Sequence, residues 1–356
     1  MTNRNESYPS VLEEWWRRQA LRETGRSDGE AALDTLRAVV DSLSQNFTAE
    51  REAGFDEYAH DYGRLAAYGL FYFPQGFMRP RFVLRELAQR CGWTPPSQGA
   101  RILDIGCGTG AAGLGIAREI SRLSPGVTIH GIDTAGQSLR VFSQLFADNA
   151  VLWPGVQMRT HKWTGQKLNE VEGIRDLRFD LVVASFSLNE MFFGRPQETV
   201  NEWVESVLRE TLSEKGVFLI LEPSLRESSE RLERLRDHLC AQQTARVLAP
   251  CLHASACPLL KEGKYWCHEV RSWEPPESFV YINRKLQRSS GQSLKFSFLA
   301  LAQPEGSPVL DSSTPDNPLP EAATFRLISP VAKAKGKMIM AGCNAAGQKA
   351  EYEILQ

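Results

Sequence analysis

The chain has 356 residues, 42% hydrophobic and 24% charged, with a formal net charge of −2, a composition that fits one large globular domain with appendages or two to three smaller domains. The near-neutral balance excludes a globally basic nucleic-acid surface, so an RNA partner must be met by local patches, and no DNA partner is expected. No apolar run approaches the roughly 18 residues a membrane span needs, the first residues lack an apolar signal core, and the expected address is cytoplasmic, with no membrane partner.

Residues 1–95 read as a helical region. Ser27 and Glu30 form a candidate capping box ahead of Leu33, Leu36, Val40 and Leu43, which share one helical face. A later helix is written in Val83, Leu84, Leu87 and Cys91. Between them, Ala67 to Pro74 is an aromatic segment expected to stop at its proline and to pack the helices onto the next domain.

From Gly99 onward strand and helix signals alternate, as a doubly wound parallel sheet requires. Arg101-Ile102-Leu103 leads to Asp104 and to Gly106-Cys107-Gly108-Thr109-Gly110, followed by a helical pattern through Leu114, Ile116 and Ile120. A strand, a glycine turn and a helix in that order bring backbone N–H groups to one small-ligand site. Gly108, Gly110 and Gly113 fit the dinucleotide pattern G-x-G-x-x-G, which calls for NAD. Asp104, Gly106, Gly108 and Gly110 instead fit D-x-G-x-G-x-G, which resembles motif I of the class I S-adenosylmethionine methyltransferases. The acid favours the second reading, because a carboxylate there repels a pyrophosphate but pairs with the ammonium of a methionyl group.

Further strands are expected at Thr128–Asp133, Val156–Lys162, Phe179–Ala184, Gly216–Leu221 and Leu294–Ala302. Asp133 ends the second strand about 20 residues past the glycine turn, where an acid accepts hydrogen bonds from a ribose. Ser185, at the end of the fourth strand, joins Asp104, Gly106, Cys107, Gly108, Gly110 and Asp133 as a candidate cofactor-binding residue. After it comes Ser185-Phe186-Ser187-Leu188-Asn189-Glu190, where amino-methylating enzymes of nucleic acids often carry Asn/Asp-Pro-Pro-aromatic. Asn189 or Glu190 can face a substrate or cap the next helix, and capping is the favoured reading; no residue is identified as a catalytic base. Residues 303–320, rich in Pro, Ser and Asp, read as a linker, and 321–356 as a small β appendage.

Cys251, Cys257, Cys267 and Cys343 fall after the fifth strand and outside any helical pattern, three of them in a proline-flanked loop within 245–275. Thiolate ligands are commonly presented this way, and spacing alone leaves both zinc and an iron–sulfur cluster open. Cys91, Cys107 and Cys240 have helix or glycine-turn explanations, and His253 and His268 are further candidate ligands or plain loop residues.

Pro-Cys-x-His-x-x-x-Cys-Pro-Leu at 250–259, Trp-Cys-His at 266–268, Lys-Phe-Ser-Phe-Leu at 295–299 and the late Ala-Gly-Cys at 341–343 together resemble the methyltransferase-like Rsm-twenty-two family over roughly residues 60–356. Leu252 stands where the family more often has a second proline. The resemblance implies a class I S-adenosylmethionine-methyltransferase Rossmann-like α/β sheet with an N-terminal helical region, a cysteine-rich insertion and a C-terminal β appendage. It also implies a [4Fe-4S] cluster on Cys251, Cys257, Cys267 and Cys343, and action on small-subunit ribosomal RNA or its assembly intermediates. The Rossmann-like domain is expected at 96–302. Local RNA contacts are expected at Arg284, Lys285 and Arg288 and at Lys333, Lys335 and Lys337. Two other functions fit the same residues: a catalytically inactive S-adenosylmethionine-binding assembly factor, and a small-molecule methyltransferase with a structural zinc.

Overall fold

The structure, a computed structural model, describes residues 7–48, 61–165, 167–288, 291–305, 325–329 and 331–355. At its centre β1 (Arg101–Ile105), β2 (Thr128–Asp133), β3 (Gln157–Lys162), β4 (Phe179–Ser185) and β5 (Leu212–Glu222) run parallel in the order β3-β2-β1-β4-β5. The sheet is completed by β6 (Arg246–Ala249), β7 (Glu269–Ser272) and β8 (Ser293–Ala302), with β8 antiparallel to β5 and both β6 and β7 antiparallel to β8.

The strands are nearly continuous apolar runs because both faces of the sheet are covered. Side chains alternate between faces: Ile102, Ile129, Leu181, Val183 and Leu219 enter one core, and Leu103, Ile105, Val182, Ala184, Phe218 and Ile220 the other. The first core is closed by the N-terminal helices α1 (Ser10–Thr24), α2 (Gly29–Thr48) and α3 (Tyr62–Cys91), with α4 (Ala111–Ile120) and α5 (Gly136–Asp148). A four-residue helix α6 (Leu188–Met191) follows β4. The second core is closed by α7 (Gln197–Glu210) and α8 (Arg226–Gln242). Two short helices, α9 (Pro258–Glu262) and α10 (Glu277–Lys285), flank β7.

Two local expectations are corrected. Pro74 does not end a segment: α3 is one helix of 30 residues that runs through both Pro74 and Pro80. Each interior proline costs about 3 kcal/mol in a solvated helix. Here Phe71, Phe73, Phe77 and Met78 are all buried around them, and that packing outweighs the lost hydrogen bonds. The start of α2 is capped by Asp28, whose Oδ2 accepts from the Ala31 N–H at 2.9 Å, and not by Ser27. The apolar face of α2 is as expected, with Leu33, Leu36, Val40 and Leu43 buried.

The C-terminal residues form a separate 4-stranded antiparallel sheet of β9 (Phe325–Leu327), β10 (Ala332–Ala334), β11 (Lys337–Asn344) and β12 (Lys349–Leu355). Gly342 leaves room for the stacked rings of Phe325 and Tyr352, whose centroids are 3.7 Å apart. Arg326 of β9 fastens this sheet to the body, pairing with Glu86 of α3 and Glu269 of β7. Arg271 adds bonds to the same two carboxylates at 2.7 and 2.9 Å. Most of the expected linker at 303–320 lies outside the described residues.

Among the described glycines, the tightest approach to a backbone atom is between α3 and α4. A Cβ on Gly115 would overlap the backbone carbonyl oxygen of Phe77. Backbone cannot yield as a side-chain tip can, so Gly115→Ala is expected to destabilise the protein by about 1–3 kcal/mol, read as a lower urea midpoint with an unchanged slope.

Candidate functional site: a glycine-turn cavity and a thiol cavity

The carboxyl ends of β1, β2 and β4 open into a cavity of about 890 Å³, large for a small-ligand pocket. Asp104, Gly106, Cys107, Gly108, Asp133 and Ser185 all line it. Gly110 does not line it but shapes the turn: its φ is +83°, and a Cβ would overlap the Phe142 ring. Gly106, at φ +65°, would drive a Cβ to 2.6 Å from that of Ser187. Gly108 has open space around it and donates its N–H to Asp133 Oδ2 at 2.7 Å, while Asp133 Oδ1 accepts from the Ala135 N–H at 2.8 Å. These two bonds fix the carboxylate at the cavity wall.

Asp104 is 1% exposed and accepts from the Gly113 N–H at 2.8 Å. The third glycine of the G-x-G-x-x-G reading therefore serves to let α4 sit on this carboxylate. Burial raises the Asp104 pKa to about 7, against the pull of the Gly113 hydrogen bond, and the Asp133 charge adds to the rise. Beyond the glycine turn the cavity is walled by Tyr68, Phe71, Tyr72 and Arg79 of α3. The aromatic segment thus lines the cavity as well as packing the core, of which Phe71 is also a part.

Asn189 and Glu190 do not cap α6. Its N-cap residue Ser187 makes no side-chain cap bond, and the free N–H groups of Leu188 and Asn189 go to Glu222 Oε1 at 3.0 and 3.3 Å. Sequence reasoning missed Glu222, although its place before Pro223 at the end of β5 was a usable signal. Burial raises its pKa from the ordinary 4.5 to about 8. A carboxyl whose folded pKa is raised contributes stability that is full below its unfolded pKa and is lost as pH climbs through its folded one. The contribution of this carboxyl is therefore expected to fall between about pH 5 and pH 8, and Glu222→Gln, which keeps the acceptor oxygen, should flatten the profile to the parts due to Asp104 and Glu233, whose pKa values burial also raises. Urea midpoints measured across this range check it; parallel curves for the two proteins would contradict it.

The second site is a cavity of about 50 Å³ between α8, the loop after β6 and β11. Cys251, Cys257, Cys267 and Cys343 all line it, with His253 and Arg236. One face of α8 organises the loop through residues at helical spacing. The buried Arg236 guanidinium donates to the carbonyl oxygens of His253 and Ser255. Asp237 accepts the Cys257 N–H at 3.0 Å, and Glu233 accepts the Cys267 N–H at 2.6 Å. Cys343 arrives from β11, its Sγ 3.4 Å from His253 Nε2. Burial raises the thiol pKa values, that of Cys257 to about 12 and that of Cys343 to about 11. Among the described residues, no three His, Cys, Asp or Glu side chains are drawn together as ligands of a single metal ion. His268 also lines this cavity, whereas Cys91 hydrogen-bonds the Leu248 carbonyl outside it.

The expected RNA-contact groups divide. Arg288 is paired with Asp41 at 3.0 Å, Lys285 lies 4.0 Å from Asp34, and Lys337 is paired with Glu353 at 2.6 Å. Arg288 nonetheless lines the large cavity. Lys333 lies exposed on β10.

A central sheet in the order β3-β2-β1-β4-β5-β8-β6, with β8 antiparallel and a glycine turn after β1, is the Rossmann-like architecture of the class I methyltransferases. The chain belongs to the family described as mitochondrial small ribosomal subunit Rsm22, whose sequence profile matches residues 63–354. No curated protein matches it. Solved structures with a remote likeness include the magnesium protoporphyrin IX methyltransferase of Synechocystis, with bound S-adenosylhomocysteine (10% identity, 77% of this chain and 98% of that one, TM-score 0.37). Two others are precorrin-6y C5,15-methyltransferase of Geobacter metallireducens (15%, 63% and 88%, 0.35) and TrmN of Thermus thermophilus (16%, 65% and 52%, 0.31). The strand order, rather than these likenesses, defines the fold.

Proposed function

We propose that this protein binds S-adenosylmethionine at the carboxyl ends of β1, β2 and β4, carries a [4Fe-4S] cluster, and acts on or assists the assembly of small-subunit ribosomal RNA. The observation that carries the reading is the gathering of four thiols, scattered from Cys251 to Cys343, around one cavity. The donor set suits an iron–sulfur cluster: four soft sulfur ligands and the buried cation of Arg236. The cluster's part is structural, tying β11 to the loop after β6 and closing a long stretch of chain.

In the large cavity Asp133 accepts the ribose hydroxyls, and the glycine turn gives its backbone to the cofactor. Asp104, which lines the same cavity, would pair with the ammonium of the methionyl arm. S-Adenosylmethionine supplies an electrophilic methyl group, and the transfer needs mainly alignment of an acceptor with the sulfonium. A second reading, cofactor binding without methyl transfer, is favoured by one feature. Phe186, at φ +60°, lies under the guanidinium of Arg79 at 4.5 Å, in the stretch where amino-methylating enzymes often carry Asn/Asp-Pro-Pro-aromatic.

Anaerobically purified Cys343→Ser protein is expected to lose iron and soluble yield together, whereas Cys91→Ser keeps its iron. Full iron in Cys343→Ser would refute the four-cysteine site, and stoichiometric zinc without sulfide in the parent would make the site a zinc site. For the RNA partner, co-sedimentation with immature small subunits is expected at moderate salt and should weaken steeply as salt rises, by the release of counterions from phosphates. Absence from those fractions at every salt concentration would count against the ribosomal role.

A further inference from the structure

Arg79 is the unusual group of the large cavity. It is 8% exposed, yet no carboxylate pairs with it among the described residues. Its Nη2 donates to Gln75 Oε1 at 2.9 Å, and its Nε is buried with no hydrogen-bond partner. Gln75 is itself held, its Nε2 donating to the Phe71 carbonyl oxygen at 2.8 Å. A buried guanidinium held by a neutral amide, with a donor left over, is a site for an oxyanion, because burying a cation unpaired is costly. Burial lowers the Arg79 pKa to about 10, which leaves it charged at neutral pH.

Two oxyanions can reach such a cavity: the carboxylate of a cofactor's amino-acid arm and the phosphate of an acceptor nucleotide. The position of Arg79 favours the first. Its guanidinium stacks on Phe186, the residue after the end of β4. One turn earlier, Gly76 lies against Ala111 at the start of α4, within 3.0 Å of its Cβ when given a Cβ of its own. Arg79 therefore stands over the β1–β4 side of the glycine turn, and Asp133 over the β2 side. Asp133, Gly106 and Arg79 line one cavity, so a molecule whose ribose is held at Asp133 and whose chain runs across Gly106 would bring its amino-acid arm toward Arg79.

We propose that Arg79 binds the carboxylate of the methionyl arm of S-adenosylmethionine, so that α3 completes the cofactor site from outside the sheet. This rests on the reading of the cavity as an S-adenosylmethionine site. The test is calorimetric titration of the intact, cluster-containing protein with S-adenosylmethionine and with its decarboxylated form, which keeps the amine and the sulfonium. The parent should bind the carboxylate-bearing ligand roughly 10- to 100-fold more tightly, the worth of a charge-assisted hydrogen-bonded pair. Arg79→Gln should abolish that preference by weakening only S-adenosylmethionine, and Arg79→Lys, which keeps the charge without the fork, should retain part of it. The parent comparison stands even where a variant folds poorly. A parent that binds the two ligands equally, or an Arg79→Gln protein that keeps the preference, would overturn the role of Arg79 alone. A parent that binds neither ligand would overturn the cofactor reading and this role with it.

Discussion

The contact of α3 with α4, made at Gly115 against the Phe77 carbonyl oxygen, is the constraint on which the rest depends. A sheet with a glycine turn offers a cofactor a floor but no roof. The crossing supplies the roof: with α3 lying directly on the helix that follows the glycine turn, Tyr68, Phe71, Tyr72 and Arg79 overhang the ends of β1 and β4. The same helix carries Glu86 nearer its carboxyl end, where Arg326 brings in the C-terminal sheet. One rigid element of 30 residues thus sets the position of the candidate cofactor cavity and helps to hold the strand that bears Cys343.

Both cavities satisfy buried carboxylates with backbone N–H groups: Asp104 and Asp133 at the glycine turn, Glu222 beside it at the start of α6, and Glu233 and Asp237 in the thiol cavity. The thiol cavity differs in adding a buried cation, Arg236, which donates to the carbonyl oxygens of the cysteine loop. Glu233, Arg236 and Asp237 share a helical face, so the geometry of the loop is tied to a rigid element before any ligand arrives.

Much of this was legible in the sequence because it is local. The strand–glycine–helix order, the acid at Asp133 and the two-faced apolar runs follow from short-range chemistry, and the structure has the sheet they imply. The four cysteines were grouped from their places outside any helical pattern, and the resemblance made the set specific, but spacing alone does not say that β11 returns Cys343 to the loop after β6. The errors share a cause. Pro74 is a stop signal by local rules and was overridden by burial. The cap of α6 comes from Glu222, which is 33 and 34 residues away from the groups it serves. Arg79 was missed because a cation within a helical stretch reads as solvent-facing until its helix is seen to lie across the sheet.

The account turns on whether the cavity at the ends of β1 and β2 is an S-adenosylmethionine site anchored by Asp133. Calorimetric titration of S-adenosylhomocysteine into the intact protein and into Asp133→Ala tests this most directly. The account predicts one site per chain in the parent and a severe loss of affinity in the variant, with NAD failing to bind either protein. Equal affinity of the parent and Asp133→Ala, or binding of NAD in place of S-adenosylhomocysteine, would contradict it.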